Sequence, residues 1–150
     1  LLPKEQILFN KMKEKIQKLI EEYSEDATFT GKISSDDIIE NAITELGVNI
    51  PNDYRWFLKN YGQGGIGGVD ILGISKVNKA IFKDKTLEYR KYGLPNNLIV
   101  VENCDEWLYC IDVDTEKVVS WDRINGVLGE RYTTFLEFII DRFNDEIENM

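Results

Sequence analysis

The segment Ile50–Gly68, IPNDYRWFLKNYGQGGIGG, constrains the fold more than any other part of the chain. Pro51 suits the first helical position, where a missing N–H costs nothing, and Asp53 places a carboxylate against the positive end of the helix dipole. Tyr54, Phe57, Leu58 and Tyr61 recur at helical spacing and give one aromatic, apolar face. Gly62 stops the helix. Asn60 to Gly68 then holds five glycines in nine residues, a backbone freedom that regular elements do not need. The segment therefore predicts a bulky helix seated in a core and a loop able to approach another backbone closely.

Pro51, Tyr54, Phe57, Leu58, Tyr61, Gly64 and Gly65 resemble the signature of the SUKH superfamily, an LPxxYxxFL helix running into an Asn- and Gly-rich turn. The likeness continues at Ile71-Leu72-Gly73, Leu94-Pro95 before Leu98–Val101, Tyr109–Asp112, Val118–Asp122 and Phe135–Phe138, roughly residues 35 to 140. Ile50 stands where leucine is usual, and Tyr-Gly-Gln-Gly-Gly replaces Asn-Gly-Gly. What the resemblance implies is an immunity protein of a bacterial polymorphic-toxin system, of the YobK kind, in a superfamily that also holds the yeast cell-wall-synthesis regulator. Such an antitoxin neutralises a cognate toxin, often a nuclease, by protein contact.

The residues themselves narrow the chemistry. Histidine is absent, which removes the commonest general base and metal ligand and every Ser-His or Cys-His nucleophile pair. Cys104 and Cys110 lack zinc spacing and read as free, buried thiols in a reducing compartment. The glycine loop 62–68 follows a helix and precedes a strand, the reverse of a phosphate-cradling order, and carries no lysine. Asp112, Asp114 and Glu116 suggest cation ligands, yet the glycine and distal glutamate of a calcium loop are missing. The expected cofactor and metal sets are empty, and so is the catalytic set. A carboxylate hydrolase stays as a third option, since two acids across a cleft can run acid–base chemistry.

A net charge of −9 argues against direct nucleic-acid binding, which needs a basic face. It suits a basic protein partner such as a nuclease domain, and equally suits plain solubility. No apolar run reaches the ~20 residues of a membrane span, so the expected location is the cytoplasm. The candidate partner-binding residues are Asp70, Glu102, Asp105, Glu106 and Asp122 as an acidic rim that steers encounter, with Trp107 and Trp121 as anchors. Each tryptophan has a competing reading as a core residue.

In chain order, helices are expected at 4–23, from Ser34 or Ser35 to Gly47, at 51–61, and at 76–92 with Ala80, Ile81, Leu87 and Tyr92 inward. The polar stretch 24–32 reads as a loop. Strands are expected at 69–74, 98–101, 107–111 and 117–121, with 98–101 apolar on both faces and hence central, and the last two joined through Asp114–Glu116. RINGVLGER, 123–131, reads as a loop with an Asn-Gly turn. Thr134 and Glu137 form a capping box opening a final helix. The expectation is one α+β domain over 1–150: a helical N-terminal region, a largely antiparallel sheet of four to six strands, and a C-terminal helix packed on it. Residues 1–32 would be a helix and loop packing as an appendage. A general interaction module with a non-toxin partner is the alternative function.

Overall fold

A computed structural model describes residues 2–150. Helix α1 spans Pro3–Glu22, and a 3-10 turn at Ser24–Asp26 leads into the short strand β1, Ala27–Phe29. Helices α2, Asp37–Leu46, and α3, Asn52–Tyr61, follow, then strand β2, Gly64–Ile66, and helix α4, Ile81–Arg90. Four strands, β3 Leu98–Asn103, β4 Leu108–Asp112, β5 Val118–Asp122 and β6 Gly126–Tyr132, precede helix α5, Phe135–Glu148. The last four strands form an antiparallel sheet in sequence order, and β1 pairs with β2 in a separate ribbon. This is an α+β fold.

Helix α3 occupies the centre because its aromatic face has partners on several sides. Tyr54, Phe57 and Leu58 are fully buried. The Tyr54 ring meets Phe82 of α4 at 5.4 Å and Phe135 of α5 at 4.9 Å between centroids. Its hydroxyl donates to the Leu72 carbonyl at 2.6 Å, which removes the penalty for burying a phenol. Pro51 precedes the helix as its cap, and Gly62 ends it with φ of +70°.

The sheet is covered on both faces. Tyr109 and Tyr132 pack on Phe138 of α5, while Tyr89 of α4 meets Trp121 on the other side. Thr86 of α4 is fully buried, and its Oγ1 accepts the Val100 N–H at 2.9 Å, tying α4 to β3. Helix α1 lies along α5 and buries Ile16 completely. Thr134 caps α5, its Oγ1 accepting from the Glu137 N–H at 3.2 Å. The Glu137 carboxylate accepts from the Thr133 N–H, one residue earlier than the usual box partner.

Several expectations are corrected. The polar stretch 24–32 contains β1, because glycines at 64 and 65 let that backbone come alongside without side-chain obstruction. Within 69–74 Val69, Ile71, Leu72 and Ile74 are buried and Asp70 is exposed, but the stretch bridges only singly, Gly64 to Ile71 and Ile74 to Ala80. Leu98–Val101 is the first strand in the sheet order rather than a central one; the Leu72 N–H donates to the Val101 carbonyl, and both faces stay buried. The fourth strand runs through most of 123–131, where no residue is fully covered and hydrophobic patterning had nothing to report. Helix α4 begins only at Ile81, after a turn in which Asn78 has φ of +61°. Tyr92, expected inward, is 46% exposed. Asp36 takes the N-cap position of α2 without a side-chain capping bond, while Ser35 Oγ accepts from the Asp37 N–H.

Candidate functional site

Antiparallel pairing in sequence order brings the β3–β4 and β5–β6 turns to the same end of the sheet. In the first turn, Asp105 has φ of +66° and its N–H donates to Asn103 Oδ1 at 2.9 Å. In the second, Asp122 Oδ1 accepts from the Ile124 and Asn125 N–H groups at 2.9 and 2.6 Å. Those bonds, with the Asn125 side chain, hold the Asp122 carboxyl below its usual range. The C-terminal end of α4 forms the third wall. Together they enclose an open hollow of about 500 Å³, lined by Tyr89, Asp105, Glu106, Trp107, Leu108, Trp121, Asp122, Arg123 and Ile124.

Five of the seven residues singled out from sequence line this hollow: Asp105, Glu106, Trp107, Trp121 and Asp122. Their roles differ. Asp105 and Glu106 are exposed and Trp107 is half-buried, so all three are accessible. Trp121 is only 2% exposed and forms the floor, in edge contact with Tyr89, so it is a core residue rather than a projecting anchor.

Glu102 departs from the expected rim. It is 3% exposed and accepts from Arg142 Nε and an Nη, both at 2.8 Å, so its charge is neutralised inside the fold. The pairing raises the Arg142 pKa and fixes its guanidinium 5.6 Å from the Tyr109 ring centroid. Asp70 lies elsewhere, exposed beside the glycine loop in a hollow of about 270 Å³ with Thr28, Gln63 and Gly64. Partial burial pushes its pKa up.

Sequence reasoning missed the apolar members of the site. Ile124 is 92% exposed, Val127 pairs with Trp121 at 52% exposure, and Tyr92 carries the Arg123 guanidinium 3.8 Å above its ring. An isoleucine inside the otherwise polar turn RINGV was the available signal. The contacts of α4 with this end gave none.

No group of residues suited to a metal ion occurs among the described residues. Burial and the neighbouring Glu102 raise the Cys104 thiol to about 11, and burial raises Cys110 further, so neither is a thiolate near neutral pH. The carboxylate with the largest upward shift, Asp53, reaches about 6, but its oxygens accept from the Tyr54 and Phe135 N–H groups. No described helix is long and apolar enough to cross a membrane.

Fold and site together define a small α+β domain that presents a mixed acidic and apolar surface at one sheet end. The chain belongs to the SUKH family: the SUKH_5 family model, described as SMI1-KNR4 cell-wall, matches residues 12–144. The fold is similar to a crystal structure of a protein from Pseudomonas syringae pv. tomato, with a TM-score of 0.69 at 18% identity over 86% of this chain and 98% of that one.

Proposed function

We propose that the chain is an immunity protein that binds a cognate bacterial toxin, a nuclease, and neutralises it by stable protein contact without performing a reaction. The observation that carries this reading is the sheet-end hollow. Exposed Ile124 borders an aromatic floor, exposed Val127, paired with Trp121, and Tyr92, beneath Arg123, lie close by, and Asp105 and Glu106 stand free at its edge. Exposed apolar groups beside charge are what a docking surface requires, since desolvation of the centre supplies affinity and the charged margin supplies encounter rate. A nuclease presents cationic groups to phosphate, and a chain of net charge −9 meets them with a complementary field.

Asp70 remains in the proposed set as a steering charge away from the hollow. Domain organisation is proposed as a single unit over 1–150 that acts in the cytoplasm. The family description, with its reference to the cell wall, favours a second reading, a regulatory module with a non-toxin protein partner.

The test is association kinetics with a purified nuclease toxin domain, sought among the products of the genes that adjoin this one. Asp105→Lys with Glu106→Lys should slow association by about tenfold at low salt and flatten its salt dependence. Unchanged on-rates would remove these two residues from the docking surface, and absence of any binding would favour the regulatory module.

A further inference from the structure

We infer that the sheet-end hollow is a receptor for one arginine side chain projecting from the partner, an inference that rests on the protein-docking reading above. The floor, Leu108 and Trp121, is 3% and 2% exposed, and half-buried Tyr89 stands beside it, while Trp107 borders the hollow with its indole turned to the Tyr109 ring 6.0 Å away. That is a low-polarity bed for a flat cation. Above it, the Asp105 and Glu106 carboxylates have no cationic or amide partner among the described residues. The third acid, Asp122, is already committed to its own turn. Arg123 does not neutralise the rim, because its guanidinium is held on Tyr92. The hollow therefore keeps two unpaired anions over aromatic surface.

The chain's own arginines display the recognition chemistry, Arg142 with ring and carboxylate together and Arg123 with a ring alone. Arg142 forks onto the Glu102 carboxylate and lies against the Tyr109 ring, and Arg123 stacks on Tyr92. A guanidinium is planar, weakly hydrated and forked, so it satisfies a ring face and a carboxylate together. A lysine ammonium is compact and strongly hydrated, and it surrenders more hydration to reach the same floor. Charge complementarity selects a cation here, and the aromatic bed selects arginine among cations.

The experiment titrates the full chain, followed through its tryptophan indole N–H resonances, with the peptide amide Ac-Gly-Arg-Gly and with the matched lysine and citrulline peptides. The arginine peptide should move the Trp107 and Trp121 signals saturably, with a dissociation constant on the order of millimolar, and leave Trp56 of α3 in place. Lysine should bind several-fold more weakly, and citrulline should give no saturable shift. Asp105→Asn with Glu106→Gln should weaken the arginine response by about tenfold with the remaining spectrum intact. The inference is overturned by lysine matching arginine, by a citrulline response, by an unaltered double variant, or by no movement of either indole. No toxin enters this assay, so its failure alongside intact neutralisation removes only the arginine receptor.

Discussion

Asp53 sits where two helices begin. It accepts the Tyr54 N–H at 2.8 Å inside α3 and the Phe135 N–H at 3.1 Å at the start of α5, a contact spanning 82 residues. Burial raises its pKa from 3.8 to about 6, against the opposing pull of the amide donors. Between those two values the folded chain holds more protons at this site than the unfolded chain. The associated stability is full below pH 3.8 and is lost as pH rises through about 6. Asp53→Asn cannot ionise, so its stability relative to wild type should rise by about 1–3 kcal/mol from pH 4 to pH 7. Urea unfolding at the two pH values measures this, and a flat difference contradicts it. Glu102 makes the opposite case. Glu102→Gln strands the half-buried Arg142 charge and should cost about 2–4 kcal/mol by urea midpoint. A loss below about 0.5 kcal/mol would mean that water already solvates the guanidinium.

Among the elements, the β1–β2 ribbon depends on backbone proximity. A Cβ at Gly64 would lie 1.9 Å from the Thr28 carbonyl oxygen, and φ there is +130°. Gly93 has φ of +97° but open space around it. Gly64→Ala should therefore cost more than about 3 kcal/mol, and Gly93→Ala about 1 kcal/mol. Equal losses in thermal or urea unfolding would mean that conformation alone, and not the close approach, sets the cost. The same contrast explains what the sequence made legible. Helices α2, α3 and α5 carried apolar residues at helical spacing, and β3 to β5 were apolar runs divided by turn residues. β1 and β2 carried neither pattern, because a glycine strand pairs through backbone and has no side-chain period to display. β6 was hidden for a different reason: it lies at the sheet margin, so Val127 and Leu128 stay exposed and alternation is lost.

Across the whole molecule, the candidate surface arises from topology. Residues 105–107 and 121–122 are neighbours because β3 to β6 pair in order, so the acids and tryptophans singled out in sequence share one end of the sheet. Tyr89 reaches the hollow from α4, and Tyr92, just past the end of that helix, meets Arg123 beside it, a placement no local pattern encodes. Glu102 and Asp105 looked alike in sequence, and only the approach of Arg142 from 40 residues away buries one and leaves the other free. The central claim is that this end of the fold stops a toxin by occupying it. The most direct measurement is growth of cells expressing a nuclease toxin domain taken from the adjoining genes together with this chain, wild type or carrying Ile124→Asp and Glu106→Lys. Survival with wild type and its loss with a variant that remains folded is the predicted result; death in both cultures, or equal survival in both, would contradict the account.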